Sequence, residues 1–178
     1  MDTTDLKHHY SQQFNAELED IRSRVLAMGG LVERQLEMAI DALNRGESAT
    51  AEVVVSNDYK VNACDVDIDE QCAKILALRQ PTASDLRLVL AVIKTTADLE
   101  RIGDEAKRVA RMAIRAAGGD HGRNLFSRIV HLGTLVQRML HSVLDAFARM
   151  DIEAAIDVAH EDVSIDREYE SVMRQGMT

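Results

Sequence analysis

Two carboxylates, Glu100 and Asp104, stand four residues apart in the segment Leu99-Glu100-Arg101-Ile102-Gly103-Asp104. That spacing puts both on one face of a helix. The apolar pattern upstream, Leu86, Leu90, Ile93 and Ala97, advances by four, three and four, and its next steps land on Glu100 and Asp104. A core-facing stripe is therefore expected to run into a carboxylate pair. Carboxylates are seldom buried unless a cation pairs with them or a metal binds them. The stretch before it supplies a second pair. Val54, Val61, Ile68 and Ile75 recur every seven residues, and the complementary seam positions are Asp58, Asp65, Cys72 and Arg79. Opposed across one bundle, Asp58, Asp65, Glu100 and Asp104 form an oxygen-rich set suited to a hard or borderline cation such as Mg, Mn, Ca or Fe. The same carboxylates fit a plainer reading, in which they pair with Arg101, Lys60 or Lys107 or face a solvated groove.

Other chemistries find less support. There is no Cys/His cluster of zinc type. The Glu-x-x-His signature of di-iron bundles is approached only by Asp157-x-x-His160 and by Asp5-Leu6-Lys7-His8. His160-Glu161-Asp162 offers a phosphotransfer histidine, although a lone surface His is usually inert. The basic run Lys107, Arg108, Arg111 and Arg115 complements a helix C-terminus. No glycine-rich phosphate loop, nucleophile elbow or triad is present, so the chain is not expected to be an enzyme. A net charge of −9 argues against nucleic acid, whose affinity comes from cationic side chains on phosphates.

The elements that hold these residues are helices. Across 178 residues, 46% are apolar, 3% aromatic and one is proline, with the sequence rich in good helix formers. Five helices are expected. The first starts near Ser11, carries Phe14, Leu18, Ile21, Val25, Met28 and Val32 at 4-3-4-3-4 spacing, bends at Gly29-Gly30, and stops at Asn44-Arg45-Gly46. The second covers about residues 49–79 and ends before Pro81. The third starts at the cap Thr82-Ala83-Ser84-Asp85 and stops at Gly118-Gly119. A fourth covers about 123–150, and a fifth starts near Ile152 and runs to the chain end. Cys64 and Cys72, eight apart on one helix, stand roughly 12 Å apart by helical rise, too far for a disulfide. A reduced, cytoplasmic setting fits them. The acidic Met1-Asp2-Thr3-Thr4-Asp5 is no signal peptide, and the greasiest stretch, Leu86 to Ile93, is too short to span a membrane.

The chain repeats itself. Leu31-Val32-Glu33-Arg34-Gln35-Leu36 returns as Leu135-Val136-Gln137-Arg138-Met139-Leu140, a shift of 104 without a gap. Asp41-Ala42-Leu43-Asn44-Arg45 returns as Asp145-Ala146-Phe147-Ala148-Arg149, and Val54, Asp58 and Val61 as Val158, Asp162 and Ile165. Helices four and five thus repeat helices one and two. The expected architecture is all-α, with tandem antiparallel three-helix bundles: a complete first bundle over residues 1–118 and an incomplete second over 119–178. The seams of helices four and five lack a third helix, which predicts either a chain truncated at Thr178 or self-association through that face.

These residues resemble the PhoU family, regulators of bacterial phosphate uptake. The resemblance spans all 178 residues, through Gln13-Phe14-Asn15-Ala16-Glu17-Leu18-Glu19, Gln80-Pro81-Thr82-Ala83-Ser84-Asp85-Leu86-Arg87 and Asp145-Ala146-Phe147-Ala148-Arg149-Met150-Asp151. Its most specific part is Asp98-Leu99-Glu100-Arg101-Ile102-Gly103-Asp104. The resemblance implies tandem three-helix bundles and a non-enzymatic adaptor. Such an adaptor is a negative regulator of the phosphate-starvation response, joining the ATPase subunit of the phosphate ABC transporter to a phosphate-sensing histidine kinase. It also implies a metal centre at Glu100 and Asp104 with Asp58 and Asp65 facing them, Asn62 departing from the usual Asp. Of a second centre only Asp162 and Asp166 remain. The cofactor would be Mg, Mn, Ca, Fe or Zn. The partners would include a second copy of the chain in a homodimer, and the inner membrane only through the other two. The alternative reading is a metal-binding, metal-storage or metal-dependent helical-bundle protein.

Overall fold

The computed structural model describes the backbone of residues 3–117 and 123–176 and the side chains of 12–117 and 127–174. Six helices follow in order: α1 Thr3–Arg45, α2 Ser48–Asn57, α3 Tyr59–Arg79, α4 Ala83–Ala116, α5 Arg123–Arg149 and α6 Ile152–Gly176. Among the described residues there is no strand. The fold is an all-α helical bundle. The glycine stop at Gly118-Gly119 lies outside the described residues.

α1 carries the core seam as its spacing predicts. Ile21, Val25, Met28, Val32, Leu36, Ala39 and Leu43 are buried, with Phe14 and Leu18 packed at the edge. The helix starts earlier than its apolar pattern does, at Thr3. It also runs unbroken through Gly29-Gly30. Gly29 serves close packing. A Cβ there would stand 2.5 Å from Leu144 Cδ2 of α5, whereas a Cβ on Gly30 meets nothing.

The expected second helix is divided. α2 and α3 meet at Asp58, which keeps helical angles (φ −56°, ψ −34°). Its carbonyl accepts from Val61 N–H at 3.0 Å and more weakly from Asn62 N–H at 3.4 Å. The ladder tightens to an i→i+3 bond at that point. Val54, Val61, Ile68, Cys72 and Ile75 are buried, following the heptad.

α4 corrects the opening expectation. Its buried face is Val89, Val92, Thr96, Leu99, Gly103, Ala106, Ala110 and Ala113. Leu86 is 38% exposed and Leu90 46%, so the stripe that leads to Glu100 and Asp104 flanks the core instead of facing it. The reason is steric. α4 packs on both α1 and the α2–α3 stretch, and side chains that permit close approach there are small. Gly103 lies against Val61, to whose Cγ1 an added Cβ would come within 3.3 Å.

α5 lies along α1, and α6 packs chiefly on α5. The α5–α6 corner repeats two backbone bonds of the α1–α2 corner. Glu47 N–H donates to the Ala42 carbonyl at 3.0 Å and Ala51 N–H to that of Glu47 at 3.3 Å. Asp151 N–H donates to Ala146 at 2.9 Å and Ala155 N–H to Asp151 at 3.1 Å, each 104 residues later. Gly46 (φ +69°) and Met150 (φ +54°) fill the same left-handed position. α5 meets α1 through glycine again: a Cβ on Gly133 would stand 2.9 Å from Ile40 Cδ1. Between the two helices Arg22 Nη2 donates to the Ala148 carbonyl at 2.9 Å, and His141 Nδ1 lies 2.7 Å from Glu33 Oε1.

Candidate functional site

The carboxylates singled out from the sequence gather where the α2/α3 break faces α4. Asp58, at the break, is only 4% exposed. A carboxylate so buried needs a partner, and it has one: Lys107 Nζ donates to Asp58 Oδ2. The same ammonium lies 3.6 Å from Asp104 Oδ1. Lys107 stands one heptad beyond Glu100, so it shares that residue's face of α4. Of the three cations named for the plainer reading, Lys107 is the one that pairs with the cluster. Arg101 pairs instead with Asp98 at 3.0 Å, and Lys60 is exposed.

Electrostatics identify the other members. The Glu100 carboxyl is pushed above the usual carboxylate range, first by desolvation and then by the charges of Asp104, Asp65 and Asp58. Burial likewise raises Asp65, with Asp69 adding to it. Lys107 is held above its usual value, chiefly by its hydrogen bond to Asp58. Asp58, Asp65, Glu100 and Asp104 therefore do face one field, with an ammonium among them. Among the described residues no three His, Cys, Asp or Glu side chains are disposed to hold a metal ion. As the side chains stand, the donor set does not fit a divalent cation, because the buried oxygen of Asp58 is already committed to Lys107.

Asp162 is elsewhere. It lies at the rim of an apolar cleft of about 310 Å³ lined by Ile102, Val136, Leu140, Val143 and Val158. Asp166 and His160 are exposed on α6. Asp5 and His8 lie outside the residues whose side chains are described. Both thiols are free; burial, with Asp69 beside it, raises Cys72 to about 11, which leaves it protonated and unreactive. The sequence reading missed Gln35 at this core. It is 7% exposed, its Oε1 has no partner among the described residues, and it lies beside Gly103. Its position at a seam step of α1, filled by Met139 in the repeat, was the available signal.

A domain model described as the PhoU domain matches residues 25–113 and 129–178. The chain belongs to the PhoU family. The phosphate-specific transport system accessory protein PhoU of Serratia marcescens is 52% identical over 178 residues, all of this chain and 73% of that protein. The protein of the same name from Escherichia coli K12 is 51% identical over the same span. The crystal structure of PhoU from Pseudomonas aeruginosa superposes with a TM-score of 0.88 at 48% identity, covering 91% of this chain and 78% of that one. No helix among the described residues is long and apolar enough to cross a membrane.

Proposed function

We propose that this chain is a non-enzymatic accessory regulator of a phosphate transport system. In this reading it couples the ATPase subunit of a phosphate ABC transporter to a phosphate-sensing histidine kinase, and it holds the starvation response off while phosphate is plentiful. The observation that carries the reading is 52% identity across the whole chain to a protein named as an accessory of that system. The site chemistry is consistent with it. The perturbed groups Glu100 and Lys107 sit in one charge cluster with Asp58 and Asp104, in which Lys107 ties α4 to Asp58 at the α2/α3 break. The open surfaces are apolar, as at Ile152, Ile156 and Val163 of α6, and such surfaces suit docking of other helices. Residues 1–118 act as one bundle and 119–178 as the helices of a second. Both partners handle nucleotide in the cytoplasm, so the chain works there, as a homodimer, and reaches the inner membrane only through them.

The test is made in a strain that lacks its own copy and carries a phosphate-starvation reporter. The chain is expected to restore repression in high phosphate and to co-purify with the kinase and the ATPase subunit more strongly there than in low phosphate. Stable expression with an unrepressed reporter and capture of neither partner overturns the reading.

A further inference from the structure

We propose that Lys107 is the resident cation of the carboxylate centre between the α2/α3 break and α4, so that the chain takes up no divalent metal there until Lys107 is replaced. The argument starts from Asp58. Its carboxylate is 4% exposed and accepts from Lys107 Nζ, and the same nitrogen reaches Asp104 Oδ1 at 3.6 Å. A divalent ion binds carboxylate oxygen at about 2.0–2.6 Å. It cannot approach Asp58 Oδ2 while the ammonium holds that position. The competitor is tethered, so it is present at an effective concentration that dilution does not lower.

The backbone fixes the tether. Gly103, lacking a Cβ, brings α4 against Val61, three residues past Asp58. One turn further along α4 the lysine stem reaches across and puts its charge on the buried carboxylate of Asp58. One ammonium supplies a single positive charge to four facing carboxylates. The centre is thus filled by a cation of its own and still negative, which is the condition under which removing that cation leaves a site for a doubly charged one.

The experiment uses the full chain, Mn²⁺ as probe, equilibrium dialysis with metal analysis, and thermal melting with and without the metal. Wild type is expected to retain no more Mn²⁺ than the Asp58→Asn/Glu100→Gln double variant. Lys107→Asp, and Lys107→Gln as the milder change, are expected to retain an equivalent of Mn²⁺. At 100 times the dissociation constant their Tm should rise by about 5 °C or more, and wild type should not respond. Retention by wild type that the double variant loses overturns the proposal. So does failure of both Lys107 variants, shown folded by circular dichroism, to retain the ion.

Discussion

Asp58 shows how a single residue can be both a seam position and a charge. The heptad Val54-Val61-Ile68-Ile75 made it legible, because a carboxylate at a regular core step is conspicuous. Glu100 and Asp104 were legible as a pair, but the stripe that carries them, expected to face the core, flanks it. Leu86 and Leu90 are large and dominate any hydrophobic pattern, yet the face that packs is Val89, Val92, Thr96, Leu99, Gly103 and three alanines. Close helix contact selects small side chains, which contribute little to such a pattern. The pairing of Lys107 with Asp58 depends on the separation of two helices, which spacing along one of them does not encode.

Glu100 yields a pH prediction. Its carboxyl is raised above the ordinary 4.5 by burial and then by neighbouring carboxylates. The folded chain therefore holds this proton more tightly than the unfolded chain. The stabilisation that follows is fully present below pH 4.5 and is lost as pH rises through the raised value. At pH 7 the ionised group opposes folding, so Glu100→Gln should raise Tm by about 1–3 °C, on the order of 0.5 kcal/mol for a partly solvated charge. The gain should shrink toward zero below pH 4.5. A gain equal at pH 4 and pH 7 would assign it to packing. Glu17 has the opposite sign: its hydrogen bond to Arg79 lowers its carboxyl, so that contribution is present above 4.5 and lost on acidification.

At the scale of elements, glycines and corners decide how helices meet. Gly29 and Gly30 are neighbours with opposite expected effects. Gly29→Ala drives a methyl into Leu144 at 2.5 Å and should cost about 1–3 kcal/mol, recovered in part by Leu144→Ala. Gly30→Ala meets nothing and should stabilise by up to about 1 kcal/mol, because glycine inside a helix is costly. Melting of the two single variants and the double checks all three. The Gly-Gly pair was legible in the sequence as a weak point of α1. That one of the two receives a side chain from α5 required the packing itself.

The α5–α6 corner makes a second element-scale prediction. Met150 is exposed and left-handed at φ +54°, where its counterpart in the first corner is Gly46. A side chain in that region costs roughly 1 kcal/mol. Met150→Gly should therefore raise Tm by about 2–4 °C and Gly46→Ala should lower it, both read by thermal unfolding. A loss of stability in Met150→Gly would mean that the methionine makes contacts that outweigh its strain.

Across the whole molecule, the two helix pairs are clothed unequally. Val32, Leu36, Ala39, Val54 and Asp58 are buried in the core that α4 shares with α1 and α2. Their counterparts Val136, Leu140, Val143, Val158 and Asp162 line an open cleft, with Val143 40% exposed, and Ile152, Ile156, Val163, Tyr169 and Met173 are bare on α6. Apolar surface of that extent drives association. Sedimentation should find species heavier than the 19.8 kDa chain that grow with concentration. Ile156→Glu should weaken the association about tenfold or more while leaving helicity intact. A monomer that binds no hydrophobic dye at any concentration would contradict this.

The contacts between α1 and α5 carry one more consequence. Gly29 receives Leu144 and Gly133 receives Ile40, and the shift of 104 exchanges each pair for the other. The two helices run antiparallel, and a dyad passes between them near Arg34-Gln35 and Arg138-Met139. Reciprocal contact of this kind is what two identical subunits make when they pair about a two-fold axis. The internal interface of this chain thus has the form of a homodimer interface written into one polypeptide.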